Sequence, residues 1–345
     1  MKALVYAEEN KVAIEDRPIP AISAPTDAIV KLKHTTICGT DLHILKGDVP
    51  TAQPGRVLGH EGVGVVESIG ASVTGFVAGD NVLISCITAC AACPFCRRGM
   101  HSHCESGGWI LGNKIDGTQA EYVRIPHATA SLYKLPSTVN LKNAVMLSDA
   151  LPTGMECGVL NGKVQPGSSV VIIGAGPVGL SAMVTAQLYS PSLLVVVDID
   201  EARLAMAKMF GASHVANSRK STGVEKLLSL TDGQKFDTVI EAVGIPSTFE
   251  LSQTLVAPGG TIANIGVHGK KVDLHLDKLW DQNISLTTRL VDTVTTPMLL
   301  RLFQAGKLDV SSLITHEFAF DKTEDAYDTF RKAADHKALK VLINL

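Results

Sequence analysis

Hydrophobic positions along the chain follow two rhythms. Up to about residue 135 they come in short strings, "DAIVKLK", "GVGVVESIG", "DNVLISC" and "AEYVRIP", parted by Gly, Pro and Asp. Strings of this length between turn formers predict β-strands. From residue 141, "LKNAVMLSDALPTGMECGVLNG" is long, apolar and poor in β-branched residues. It predicts helix, broken near Pro152, and "QPGS" then makes a turn. The second rhythm starts at 168. "SSVVIIGAG" and "SLLVVVDID" read as buried strands, followed by the helices "PVGLSAMVTAQLY" and "EARLAMAKMFGA", the latter ending at Gly211. "FDTVIEAVG", "GTIANIGV" and "ISLTTRL" supply later strands. Continuous Val/Ile/Leu strands alternating with helices predict an α/β fold with a parallel sheet covered on both faces. The tail from Thr315 reads as strand, helix, strand, and the pattern leaves open whether it rejoins the first part.

Composition narrows this picture. A chain of 345 residues exceeds one ordinary core and suits two domains. With 46% hydrophobic and 19% charged residues it should pack as a globule. A net charge of -3 gives no electrostatic reason for nucleic-acid or membrane-surface binding. The start, "MKALVYAEEN", meets Glu8 and Glu9 before an apolar core of signal-peptide length accumulates, and no run reaches transmembrane length. The expectation is a soluble, cytoplasmic protein. Seven cysteines, four of them within Cys90–Cys104, do not spread like a disulfide framework and point to metal or redox chemistry.

Three motifs carry that chemistry. Cys90, Cys93, Cys96 and Cys104 give C-x2-C-x2-C-x7-C. Four thiolates close a tetrahedral shell, so zinc (Zn2+) here would be structural. An iron–sulfur cluster shares the first two spacings but places its fourth Cys three residues on, before Pro; here the gap is seven and Glu105 follows. An empty thiol lobe is the remaining alternative, and His101 and His103 should face solvent. Next, "GAGPVG" sets Gly174, Gly176, Pro177, Val178 and Gly179 between a buried strand and a helix, the context a dinucleotide-binding turn needs. Asp198 ends the next strand, placed to bond ribose hydroxyls and to repel a 2′-phosphate, which favours NAD over NADP, and Arg203 could line the adenosine side. The alternative is an Asp that only caps a helix. The third constellation is dispersed: Cys38, Thr40, Asp41 and His43 in "CGTDLH", His60 and Glu61 in "GHEG", and Asp149. An open zinc site needs three protein ligands and a vacant fourth position. Spacing alone leaves a buried Cys and a satisfied loop His as strong alternatives.

In order, "CGTDLHI", "GHEGVGVV", the four-cysteine lobe, and "GAGPVG" with "VVVDID" resemble the zinc-dependent medium-chain alcohol dehydrogenases along nearly the whole length. That resemblance implies a GroES-like β-barrel catalytic domain, 1–150 plus 290–345 with a zinc lobe at about 86–108, into which a Rossmann-type NAD-binding domain, 151–289, is inserted. It implies Cys38, His60 and Asp149 as ligands of a catalytic zinc, two zincs per chain, and Glu61 as an acid able to approach the metal. It also implies Asp41 as the partner orienting His60 and Thr153 beside the nicotinamide. Thr40 would take the alcohol proton and pass it by the nicotinamide ribose to His43. Where some relatives carry Arg after the first zinc Cys this chain has Gly39, and Lys340 is the remaining basic pyrophosphate contact that the resemblance implies. Cys157, eight residues past Asp149, stands as a packed helix residue or a competing third ligand. By the same resemblance Cys86 stands where relatives keep an aromatic that narrows the pocket and Trp109 would add a wall, which favours secondary alcohols or ketones; the alternative for both is simple core packing. The alternatives are a polyol, butanediol or threonine dehydrogenase of the same architecture, or a non-catalytic zinc and nucleotide-binding protein. A homo-oligomer is implied, a tetramer rather than a dimer.

Overall fold

The structure is a computed structural model and describes residues 1–220 and 223–345. They form two compact units, one of residues 1–149 and 292–345, the other of 150–291. Among the described residues no helix is long and apolar enough to cross a membrane.

The discontinuous unit is built on a seven-stranded sheet. Its path runs Ile314–Ala319, Lys340–Asn344, Ala28–Ile37, Gly62–Ile69, Asn81–Ile84, Leu132–Lys134, with Tyr122–Ile125 also paired to Ala28–Ile37. The tail rejoins the early strands directly: Val341 pairs antiparallel with Ile37 and Ile343 with Thr35. Alternation along these strands sends Val30, Leu32, Val66, Val82, Ile84 and Val123 into one apolar cluster. At one end of the barrel Asp27 is 1% exposed. It accepts hydrogen bonds from the Ala24 N–H at 2.9 Å, the Ser23 hydroxyl at 3.0 Å and Arg124 Nη1 at 3.0 Å. Burial alone would raise this carboxyl, but the donors outweigh it and hold it below the ordinary carboxylate range. A group depressed on folding stabilises fully above its unfolded pKa, near 3.9, and the contribution fades as pH falls through the folded value. Asp27→Asn should therefore cost about 1.5–3 kcal/mol at pH 7 and progressively less below about pH 4. Urea unfolding of both proteins at pH 7 and pH 3 checks this; an equal gap at the two pH values refutes it.

The continuous unit carries six parallel strands ordered His214–Asn217, Leu193–Asp198, Ser169–Ile173, Phe236–Glu241, Val256–Asn264, Ser285–Thr288. In chain order this is third, second, first, fourth, fifth, sixth, the doubly wound arrangement whose ligand crevice opens where the order reverses. The second rhythm of the sequence matches five of these strands and misses His214–Asn217. The Gly211 expectation holds: the helix Glu201–Met209 stops two residues before it, and Gly211 has φ +103°. The break expected near Pro152 falls earlier. Helical turns cover Leu141–Leu147, the regular pattern lapses at Ser148 and Asp149, and helix resumes over Ala150–Leu160, its last seven residues π-type. Pro152 sits in the first turn of that new helix, where its missing N–H costs nothing.

Candidate active site and metal centres

Three separate elements deliver the dispersed donors. Cys38 follows the strand Ala28–Ile37 and caps the helix Gly39–Leu45. His60 and Glu61 lead into the strand Gly62–Ile69, and Asp149 lies in the helix break. Their donor atoms all lie within 4.8 Å of one another. His60 Nε2 is 3.3 Å from Asp149 Oδ2, and Cys38 Sγ is 3.6 Å from the same oxygen. Zinc bonds of about 2.0–2.3 Å at tetrahedral angles give donor–donor edges of roughly 3.3–3.6 Å. The spacing and the mix of thiol, imidazole and carboxylate thus fit one zinc ion. So does the charge: burial alone would hold the His60 ring neutral, yet Asp149, Cys38 and Asp41 raise its pKa well above the ordinary value. A buried site this rich in anionic groups suits a divalent cation.

A polar network fixes these donors. Asp41 Oδ2 accepts from the Cys38 N–H at 2.9 Å and from Gln119 Nε2 at 3.2 Å, and Gln119 Oε1 accepts from Tyr327 Oη at 2.8 Å. Asp41 Oδ1 faces His60 Nδ1 at 3.8 Å, and neither atom has another hydrogen-bond partner. A small approach closes that bond and sets the imidazole with Nε2 toward the other donors. Lys340, expected at a pyrophosphate, has a carboxylate partner within its own unit. Its side chain is 2% exposed, and Nζ lies 2.6 Å from Glu61 Oε1. Glu61 Oε2 accepts from the Thr36 hydroxyl. The ammonium is buried against a carboxylate of its own unit. Burial favours the neutral amine, but Glu61, Cys38 and Asp149 outweigh it and keep Lys340 charged.

Thr40 and His43 lie on the helix Gly39–Leu45 at i, i+3, so they share a face. Thr40 Oγ1 is 3.8 Å from Cys38 Sγ. His43 Nδ1 meets Asp48 Oδ2 at 2.8 Å, which leaves Nε2 as its second nitrogen. Trp109 packs edge-on to the His60 ring, centroids 6.3 Å apart. Cys86 is 2% exposed and touches Asp149 Oδ1 at 3.5 Å. Thr153 and Cys157 lie on the resumed helix, Cys157 1% exposed and outside the donor group. Sequence reasoning missed Gln119, Thr36, Tyr327 and Asp48. Only Asp48, five residues past His43 in the turn after the helix, left a local signal.

The cysteine lobe is a second, closed donor set. Cys90, Cys93, Cys96 and Cys104 cluster within 4.8 Å. Cys90 Sγ is 3.9 Å from Cys96 Sγ, close to the edge of about 3.8 Å expected when bonds of 2.3 Å share one ion. The N–H groups of Ala92 and Cys93 point at Cys90 Sγ, and that of Cys90 at Cys104 Sγ. Burial opposes ionisation of Cys90, but these N–H groups prevail and its pKa falls to about 6. Burial and the neighbouring Cys93 and Cys104 push Cys96 up to about 12. One thiolate resists the next until a cation is shared, as a four-thiolate metal site requires. His103 is exposed, His101 is half-buried, and neither joins the cluster.

In the continuous unit the glycine turn borders a cavity of about 590 Å³, lined among others by Gly174, Gly176, Asp198, Arg203 and Val243. Gly174 takes φ +104°, and a methyl at Gly179 would collide with the Gly174 carbonyl, so the first and third glycines serve the turn and the helix packing. A Cβ at Gly176 would meet only Arg203 Nη1, at 3.9 Å. That position is open to a ligand. Asp198 ties the turn to its own strand end, accepting from the N–H groups of Ala175 at 2.6 Å, Ile199 at 2.7 Å and Asp200 at 2.9 Å. Arg203 Nε is buried without a partner, a donor suited to an anionic or hydroxylated ligand.

Comparison with known proteins agrees with both units. Residues 24–137 match the model of the alcohol dehydrogenase GroES-like domain, and 177–305 that of the zinc-binding dehydrogenases. The chain is 34% identical over 368 residues to an alcohol dehydrogenase of Cupriavidus necator, covering 99% of this chain and 98% of that one. It superposes on the apo form of zinc dependent alcohol dehydrogenase 2 from Streptococcus pneumoniae with TM-score 0.96 and 52% identity, over 100% of this chain and 98% of the other. An alcohol dehydrogenase of Thermus sp. ATN1 follows, with TM-score 0.92 and 33% identity, over 100% and 99%. Full-length similarity of this order, on a chain that assembles both cysteine- and histidine-bearing donor sets, places the protein in the zinc-dependent medium-chain alcohol dehydrogenase family.

Proposed function

We propose that this alcohol dehydrogenase interconverts secondary alcohols and ketones with NAD, holding one zinc in the Cys38–His60–Asp149 set and a second in the cysteine lobe. The observation that carries the reading is the three-donor set with tetrahedral edges of 3.3 and 3.6 Å. When bound there, zinc supplies a Lewis acid that favours the deprotonated form of an alcohol hydroxyl. NAD supplies the hydride acceptor. The chain's own groups do the rest. Asp41 and Gln119 orient the ligands, and Trp109 excludes water beside His60. Thr40 Oγ1 accepts the hydroxyl proton; His43, held at Nδ1 by Asp48, carries it onward from Nε2 to solvent. Glu61 is held back by Lys340 and Thr36 and is the acid available to approach the site.

Asp198 at the cavity wall supports NAD, since its charge opposes a 2′-phosphate. Cys86, small where the resemblance implies an aromatic, leaves room for a second carbon substituent. The edge strand Ser285–Thr288, with Leu286 38%, Leu290 45% and Trp280 77% exposed nearby, supports a homo-oligomer; the family resemblance favours a tetramer over a dimer. The test is a panel of 2-propanol, 2,3-butanediol, sorbitol, threonine and ethanol, each with NAD and NADP, on enzyme of measured zinc content. Expected are two zincs per chain and the highest kcat/KM with 2-propanol or butanediol and NAD. Preference for sorbitol, threonine or NADP would overturn the finer reading, and one zinc per chain the mechanism.

A further inference from the structure

The two oxygens of Asp149 face different partners. Oδ2 lies 3.3 Å from His60 Nε2 and 3.6 Å from Cys38 Sγ, on the side of the donor set. Oδ1 lies 3.5 Å from Cys86 Sγ. Cys86 is 2% exposed and falls outside the four residues whose donor atoms lie within 4.8 Å of one another. Its place is fixed from both directions. The Cys86 N–H donates to the Ser148 carbonyl at 3.1 Å, which ties it to the residue before Asp149. Ser85 is anchored by its N–H to the Ser131 carbonyl at 3.0 Å and by its hydroxyl to Thr293 Oγ1 at 2.8 Å.

We propose that Cys86 is a positioning residue whose S–H holds Asp149 Oδ1, so that the carboxylate presents only Oδ2 to the metal. The inference rests on the reading of Cys38, His60 and Asp149 as zinc ligands. A carboxylate can ligate through one oxygen or two, and an open site works only while a fourth position stays vacant for substrate. If Oδ1 swings inward it competes for that position. A thiol is a weak donor, but a charged acceptor strengthens the bond.

The test replaces the open-site metal by cobalt, with zinc left in the cysteine lobe, in wild type, Cys86→Ala, Cys86→Val and Cys86→Ser. Cys86→Ala and Cys86→Val should bind cobalt at least about tenfold more weakly. Their visible d–d bands should lose intensity as coordination rises from four to five. Cys86→Ser keeps a donor and should stay near wild type in both readouts. The valine variant keeps the site filled, so lost packing is separated from the lost donor. Thiolate-to-cobalt charge transfer should be unchanged in all three. Affinity and bands equal to wild type in both Ala and Val variants overturn the proposal. So does a halved charge-transfer band, which would make Cys86 a ligand. If instead Cys38→Ala holds as much open-site cobalt as wild type, the ligand reading itself has failed and the proposal falls with it, by a different signature.

Discussion

Lys340→Met is expected to destabilise the discontinuous unit by about 3–5 kcal/mol, because removing one partner leaves the other charge buried and unpaired. Glu61 and Lys340 are each at most 2% exposed at the side chain and meet at 2.6 Å. Methionine matches the length of lysine, so the loss isolates charge from packing. The chain has two tryptophans, Trp109 in this unit and Trp280 in the other. Urea unfolding followed by Trp109 in a Trp280→Phe background therefore reads the right unit. The double variant Glu61→Gln with Lys340→Met should recover much of the loss, since neither ion is then stranded. A loss below about 1 kcal/mol for the single variant would mean that Glu61 simply takes up a proton.

His60→Ala should remove one of two metal ions per chain and lower kcat/KM by about 10³-fold or more. A bound Lewis acid contributes several kcal/mol to such a reaction, and each 1.36 kcal/mol is tenfold. Atomic-emission metal counts and steady-state rates on the same sample check both halves. The cysteine lobe should keep its ion, because none of its four donors belongs to the His60 group. Retention of two ions with unchanged activity would remove the open-site assignment.

What could be read from sequence follows the distance over which each feature is encoded. The glycine turn and the cysteine lobe are local: strand, glycines and helix follow one another within "SSVVIIGAGPVG", and four thiols fall in fifteen residues. Short apolar strings between turn formers also placed several strands of the discontinuous unit. The Cys38–His60–Asp149 set spans 111 residues between its extremes, and only family resemblance suggested it. The Glu61–Lys340 pair spans 279 residues and went unforeseen for that reason. Gln119 and Tyr327 were invisible in the same way, joined by a bond across 208 residues. Pro152 misled on a finer scale, as a helix breaker that in fact opens a helix.

The strand Lys340–Asn344 lies inside the barrel sheet, between Ile314–Ala319 and Ala28–Ile37, and not at its rim. During synthesis residues 340–344 must leave the ribosome before that gap closes. The contiguous unit, 150–291, has its described strands available earlier. Until then the discontinuous unit has an unzipped seam lined with apolar side chains. Nascent-chain crowding, chaperone demand and sensitivity to loss of residues 340–344 should all concentrate on that unit.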